Sequence, residues 1–208
     1  MTVRLHRGDL PDLTRYSGAV AIDTETMGLH PHRDRLCVVQ LSNGDGSGDV
    51  VQIPKDHGKG PADAPNLKAL LADSKIAKIF HFARFDLAAL YSAFGVMAQP
   101  VYCTKIASRL ARTYTDRHGL KDLVREVLNI DLSKQQQSSD WGAQILSEAQ
   151  LAYAASDVLY LHALRERLDV MLAREGRLGL AQACFEFLPT RARLDLEGWD
   201  TEDIFAHT

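Results

Sequence analysis

The stretch Ala19–Thr26, with the sequence AVAIDTET, contains two acidic residues at alternate positions of an otherwise apolar run. Such a run predicts a buried β-strand. Side chains at positions i and i+2 of a strand point to the same face, so Asp23 and Glu25 direct two carboxylates to one place. Burying carboxylates is costly unless they are paired or bound to a metal. The pattern therefore indicates a functional site, and the alternative is a strand whose polar face meets water.

Further acidic residues occur on two later segments. Asp86 follows the apolar run 76–82 and is predicted to lie in the first turn of a helix, where the helix dipole favours an acid. Tyr153 and Asp157 are four residues apart in a helical stretch, so they share one helix face. Gathering four carboxylates requires neutralisation, which divalent cations with oxygen ligands supply. Paired metals held by carboxylates cleave phosphodiesters, so a two-metal nuclease is the leading interpretation.

These residues occur in motifs that resemble, in order, the three motifs of the DEDD 3′–5′ exonucleases. The motifs are Asp23-x-Glu25, Asp86 at the end of the run HFARFD, and Tyr153-x-x-x-Asp157. A tyrosine four residues before the last aspartate is typical of the DEDDy branch, and the RNase D group is the most similar. The resemblance covers roughly residues 19–174. It departs from RNase D at Phe82, where those relatives often have asparagine.

The resemblance implies an α/β protein with the RNase H-like exonuclease fold, a mixed central sheet flanked by helices. It also implies two divalent cations, Mg²⁺ or Mn²⁺. Asp23, Glu25 and Asp157 are expected to bind one ion, and Asp23 and Asp86 the other. Tyr153 is expected to orient the attacking water, because a reference pKa of about 10 makes it a poor general base at neutral pH.

Substrate contacts are predicted beside the first and second motifs. The predicted residues are Thr24, Met27, Gly28, Leu29, His81 and Arg84. The first three are expected to line a pocket for the 3′ nucleotide. Leu29 is expected to wedge against a base, and Arg84 to supply a cation for phosphate. Packing within the protein core remains the alternative for both Leu29 and His81.

Strand patterns dominate the first half of the chain and helical patterns the second. Expected strands are 3–6, 19–26, 35–42, 49–53, 75–81 and 101–103; expected helices are 66–73, one from Asp86 to Gly95, 120–128, and one from Ser147 to about 174. The glycine-rich turn 43–48 predicts a hairpin. Ser147 followed by Gln150 is a capping-box pattern that predicts where the last of these helices begins.

Length and order of motifs predict one exonuclease domain over 1–174 and a C-terminal helical tail over 175–208 that Pro189 interrupts. The tail is expected to pack on the core or on a neighbouring subunit and forms no separate domain. It is too short for the helical domains that follow the nuclease core of RNase D. The layout resembles the short nano-RNase C oligoribonucleases, a likeness that implies a homo-oligomer, an octameric ring.

Composition narrows the function further. The 208 residues are 46% hydrophobic and carry a net charge of −3, whereas proteins that hold long duplexes are usually basic. The charge therefore favours short substrates or chain ends. No run is long enough to cross a bilayer and no signal peptide is visible. The three isolated cysteines fit buried thiols, and we expect a cytoplasmic protein without a membrane partner.

The sequence thus predicts a metal-dependent 3′–5′ exoribonuclease that degrades short single-stranded RNA, down to dinucleotides, to 5′-mononucleotides. One alternative is a 3′–5′ exonuclease for DNA or for longer structured RNA, because no residue of the first motif clearly reads a 2′-hydroxyl. The alternative of another class is an inactive scaffold that binds nucleic acid. The presence of all five motif residues argues against lost activity.

Overall fold

A computed structural model describes residues 2–30, 33–55, 62–132, 136 and 138–207 of the chain. The described strands form one sheet with the order β1-β4-β3-β2-β5-β6. Their bounds are β1 Thr2–Arg7, β2 Ala19–Thr26, β3 Leu36–Ser42, β4 Ser47–Gln52, β5 Ala77–Phe80 and β6 Val101–Cys103. Strand β2 pairs antiparallel with β3 and parallel with β5, so the sheet is mixed, as predicted.

Strand β2 lies inside the sheet with exactly the bounds that its apolar pattern predicts, and the side chains of Val20, Ala21 and Ile22 are fully buried. Every residue of β3 is buried. The predicted hairpin is confirmed, because β3 and β4 pair antiparallel across residues 43–46. The acidic half of β2 is thereby fixed between two neighbouring strands.

Helices flank the sheet, and those described follow β4 in the chain. Their bounds are α1 Pro65–Ala72, α2 Ala83–Phe94, α3 Thr104–Ala111, α4 Leu120–Leu128, α5 Glu148–Leu159, α6 Leu161–Arg174 and α7 Leu178–Leu196. The predicted end of α2 at Gly95 and the predicted bounds of α4 are confirmed. The capping box is present: the Ser147 hydroxyl accepts from the Gln150 amide, and the Gln150 side chain accepts from the Ser147 amide.

Two helix predictions are wrong. The expected single helix from Ser147 to about 174 is divided at Tyr160 into α5 and α6. The division lets α5 pack on β3 and β4 while α6 packs on α3 and α4. The expected break at Pro189 does not occur, since α7 continues through this residue. Proline removes one backbone hydrogen bond from a helix, and Pro189 is buried within α7.

Helix α5 approaches the sheet very closely at Gly48 on β4. A Cβ atom added to Gly48 would lie 3.0 Å from the Cβ atom of Ala155. Ala154 and Ala155 are completely buried in this contact region. The small residues of α5 therefore serve close packing against the sheet.

The C-terminal helix α7 packs against α2, β6, α3 and α6. Ala181, Phe185 and Leu188 are its buried apolar contacts, and the ring of Phe185 lies 4.6 Å from that of Tyr102 on β6. The tail thus contacts the core. A domain boundary at residue 174 and a contact with a neighbouring subunit stay predictions.

The three cysteines are free thiols that differ in burial. Cys37 and Cys103 are buried thiols, while Cys184 is partly accessible, and none of the three forms a disulfide within the described residues. None of the described helices combines the length and the apolar character needed to span a membrane.

Candidate active site

Carboxylates from two elements meet at the end of β2. Asp23 and Glu25 lie on β2, and Asp157 lies on α5, which crosses this part of the sheet. Each offers one oxygen, and these oxygens all lie within 4.8 Å of one another. The alternation predicted from the sequence therefore does bring the acidic side chains to one face.

Asp86 stands beside this group in the first turn of α2. Its carboxylate is buried, and its Oδ1 accepts a hydrogen bond of 2.7 Å from the Thr24 hydroxyl. Its charge acts on Asp23 and Glu25, whose pKa values it raises. Thr24, predicted as a substrate contact, thus also holds the fourth carboxylate in place.

Burial and mutual repulsion hold protons on the cluster. Burial is the main cause in each case: it raises the pKa of Glu25 to about 8 and those of Asp86 and Asp157 to about 7. The pKa of Asp23 rises well above its usual range, first by burial and then by the charges of Asp86, Asp157 and Glu25. A compact set of hard oxygen donors that repel one another fits a divalent cation.

Gln40 contacts the cluster from β3 and was missed by sequence reasoning. Its side-chain amide donates a 3.2 Å hydrogen bond to Asp23 Oδ2, and the residue is completely buried. Its Oε1 has no partner in the described part of the chain. The available signal is a single glutamine in the apolar run LCVVQL of residues 36–41.

Tyr153 lies one helical turn before Asp157 on α5. Burial raises its pKa above the ordinary value of 10.0, and the negative charge of Asp157 raises it further. A hydrogen bond from Tyr153 in turn lowers the pKa of Asp157 against the larger effect of burial. The Tyr153 ring lies 6.1 Å from the buried Trp141 ring, so Trp141 packs beside the site.

His81 lines the cleft from the end of β5. Its Nδ1 lies 2.8 Å from the Thr104 hydroxyl, whereas its buried Nε2 has no partner among the described residues. Burial, followed by the charge of Lys105, lowers its pKa to about 3. His81 is therefore neutral at physiological pH.

The acidic residues open into a cleft of about 320 Å³. The lining contains the acidic group with Tyr153 and also two lysines, Lys105 and Lys121. All lining residues are Asp23, Thr24, Glu25, His81, Lys105, Gly119, Leu120, Lys121, Asp122, Leu132, Tyr153 and Asp157. A small cleft whose lining combines acidic oxygen donors with ammonium groups suits a metal-bound phosphate.

The residues after the first motif are not part of this cleft lining. Met27 and Leu29 are 54% and 80% exposed. A Cβ atom at Gly28 would lie 2.3 Å from Asp34 Oδ2, so any larger residue there has to displace the Asp34 carboxylate. Leu29 lines a separate hollow of about 200 Å³ beside Phe82. Of the pocket predicted for the 3′ nucleotide, only Thr24 lines the cleft, and of the other predicted substrate contacts only His81 does.

Arg84 is engaged within the protein. Its Nε and Nη2 donate to the Asp195 carboxylate at 2.5 and 2.7 Å, and Nη2 also donates to the backbone carbonyl of Asp200. Arg191 binds the same carboxylate. We assign Arg84 to the attachment of α7 to α2, because its guanidinium is occupied and lies outside the acidic cleft lining.

Residues 10–173 match the family model described as 3′-5′ exonuclease. The chain belongs to the 3′–5′ exonuclease family. Ribonuclease D of Acidiphilium cryptum (strain JF-5) is 38% identical over 159 residues, which are 76% of this chain and 39% of that relative. The chain therefore spans about two fifths of the length of this curated relative.

Solved structures extend the likeness over the whole chain. Brucella melitensis NrnC with bound Mg²⁺ is 62% identical with a TM-score of 0.94, and the match covers 100% of both chains. Brucella melitensis NrnC bound to pGG is 63% identical with a TM-score of 0.95 and the same coverage. The predicted RNase D-like family, the RNase H-like fold and the assignment to exonuclease enzymes are confirmed.

Proposed function

We propose that this protein is a metal-dependent 3′–5′ exoribonuclease that hydrolyses short single-stranded oligoribonucleotides, down to dinucleotides, to 5′-mononucleotides. The observation that carries the proposal is the convergence of Asp23, Glu25 and Asp157 in a small cleft of an exonuclease domain. The similar NrnC bound to pGG supports a short substrate.

The volume of the cleft and the net charge of the chain also support a short substrate. The cleft of about 320 Å³ matches the lower end of small-molecule sites. A net charge of −3 disfavours an extended track along nucleic acid. Binding is therefore local, through the acidic site and a few nearby cations.

The cofactors that we propose are two divalent cations, Mg²⁺ or Mn²⁺. Asp23, Glu25 and Asp157 would hold one ion, and Asp23 with Asp86 the other. Bound cations supply an activated water near neutral pH and stabilise the charge on the scissile phosphate and the leaving oxygen. The raised pKa values of these carboxylates agree with sites whose ionised form a bound cation would stabilise.

Protein groups complete the chemistry. Tyr153 keeps its proton at neutral pH because its pKa is raised, so it orients the attacking water by hydrogen bonding. His81 presents a neutral ring with an unpartnered Nε2, which we assign to a substrate contact. Lys105 and Lys121, which also line the cleft, attract phosphate.

The test compares RNA and DNA oligomers of graded length, from two nucleotides upward, in the presence of Mg²⁺ or Mn²⁺. We expect the parent protein to favour short RNA, and Asp23→Ala and Asp157→Ala to lose at least about a thousandfold in rate, because each removes a metal ligand. Asp116→Ala, at an exposed acid outside the cleft lining, is the matched control and should retain the parent rate.

Each alternative has its own outcome. Equal rates on long DNA or long RNA would contradict the oligoribonuclease assignment. A parent protein that binds RNA without cleaving it would indicate the inactive scaffold. Unchanged rates in both aspartate variants would show that the site lies elsewhere.

We also propose a cytoplasmic homo-oligomer, with an octameric ring implied by the resemblance. Leu178, Leu180 and Phe187 on α7 are between 39% and 56% exposed, which is the kind of apolar surface that subunits bury. Mass measurement in solution tests this proposal. A fully active monomer would contradict it.

A further inference from the structure

Phe82 has an unfavourable backbone conformation. It joins β5 to α2 with φ 72° and ψ 44°, in the left-handed region. A bulky residue in this region is unusual and costs on the order of 1–3 kcal/mol. The side chain is 46% exposed, so core packing does not compensate for the strain. A strained and exposed aromatic residue is typical of a functional contact.

Three depressions of the surface meet at or beside Phe82. Its ring lines both the hollow next to Leu29 and a groove of about 460 Å³ that runs toward α7. Lys105 lines this same groove and also the acidic cleft. A nucleic-acid chain whose end occupies the acidic cleft would therefore meet Lys105 and then Phe82.

The two side chains form a pair suited to one nucleotide. The Lys105 ammonium lies 4.4 Å from the centre of the Phe82 ring, a cation–π contact that positions the charge. Arg109 lines the same groove, while the floor is apolar at Cys103, Ile106 and Leu188. Aromatic rings bind bases by stacking, and lysines bind phosphate.

We propose that Phe82 stacks a base of the RNA substrate and that Lys105 binds the adjoining phosphate, so that this pair helps to determine the choice of single-stranded substrate. The proposal deepens the proposed function and rests on it. Neither residue is among the motif carboxylates. Stacking tolerates any base. The pair therefore selects for a nucleotide with an unpaired base and against an abasic nucleotide.

The test uses Phe82→Gly, which removes the ring and relieves the left-handed strain. Asn129→Gly is the matched control, since Asn129 also has a positive φ of 57° but lies exposed at the far end of α4. Both variants are expected to melt at or above the parent temperature, because glycine accepts this conformation. Phe82→Gly is expected to raise KM for a dinucleotide about tenfold, whereas Asn129→Gly retains the parent KM.

A second measurement separates stacking from structural support. Dinucleotides with one base removed, at either the 5′ or the 3′ position, are compared with the intact dinucleotide. The parent should discriminate against one of the two abasic substrates, and Phe82→Gly should lose that discrimination. Lys105→Gln should weaken binding and reduce the slope of log affinity against log salt by about one.

Contrary results overturn different claims. If the parent hydrolyses RNA but Phe82→Gly keeps the parent KM and base discrimination, the stacking proposal is wrong. A fall in melting temperature together with equal losses on intact and abasic substrates would assign Phe82 a structural role. Failure of the parent to hydrolyse any RNA would overturn the proposed function itself.

Discussion

Gln40 is a polar residue that contacts the acidic cluster without being one of its carboxylates. Its substitution tests whether such a neighbour contributes to metal binding. Its amide donates to Asp23, so Gln40→Met removes the donor and keeps the side-chain volume. We expect the Mg²⁺ concentration for half-maximal activity to rise about 10- to 100-fold, since partners of metal ligands typically contribute this much. A titration of activity against Mg²⁺ measures the shift.

Gln52→Met is the matched control, because Gln52 is a β4 glutamine whose amide donates to the backbone carbonyl of Ala143. It should leave the Mg²⁺ dependence unchanged. Equal shifts in the two variants would mean that loss of a sheet glutamine acts through general destabilisation.

Prediction from sequence succeeds for residues whose spacing is local. Asp23 and Glu25 share a strand face, and Tyr153 and Asp157 share a helix face, so their directions follow from backbone periodicity. The contact between Gln40 and Asp23 depends on the pairing of β2 with β3, where the two residues are register partners. No single segment contains that information, and the same holds for Arg84 and its distant partner on α7.

At the scale of the element, the start of α5 depends on its capping box. Ser147→Ala removes the acceptor for the Gln150 amide, so we expect the free energy of unfolding to fall by about 1 kcal/mol. Ser147→Asp retains an acceptor at this position and should unfold close to the parent. Urea denaturation of the three proteins measures the difference, and equal stability of the alanine variant would exclude a role for the cap.

The attachment of α7 to α2 depends on Asp195, which receives hydrogen bonds from both Arg84 and Arg191. Asp195→Ala leaves two partly buried guanidinium groups without this partner, and we expect a loss of about 1–3 kcal/mol. Thermal and urea unfolding measure it. Glu197→Ala, which removes the exposed partner of Arg193, should cost less than about 0.5 kcal/mol. Equal losses in both variants would contradict the attachment.

Element bounds follow from the sequence where a pattern and its stop signal agree. Strand β2 and helix α4 have the predicted bounds, and α2 ends at a glycine with positive φ. The division between α5 and α6 at Tyr160 carries no such signal, since helical periodicity continues on both sides. It results from packing on different partners, which only the assembled molecule determines.

For the whole molecule, the acidic cluster predicts a pH-dependent stability. The pKa values of Glu25 and Asp157 rise from 4.5 and 3.8 to about 8 and about 7 in the folded protein. Between its unfolded and its folded pKa, each group keeps in the folded state a proton that the unfolded chain has released. The free energy of unfolding of metal-free protein should therefore decrease as pH rises through this range. The stabilisation by the protonated carboxylates is complete below about pH 4, the unfolded-state pKa. Melting curves of EDTA-treated protein at pH 5.5 and 8.0 test this.

Added Mg²⁺ should restore stability mainly at pH 8.0, where the carboxylates have lost most of their protons and repel one another. Asp23→Asn combined with Asp157→Asn reduces the repulsion and should flatten the pH dependence. A parent-like pH dependence in this double variant would locate the titrating groups outside the cluster.

The close approach of α5 to the sheet has a consequence for how such a site can vary. Helix α5, which carries Asp157, packs onto β4 where Gly48 offers no side chain to Ala155. A methyl group introduced there would lie 3.0 Å from the Ala155 Cβ atom, so Ala155 would have to move by a few tenths of an ångström. The position of α5, and with it that of Asp157, thus depends on a residue without any chemical group to offer, on a strand that supplies no acid to the cluster.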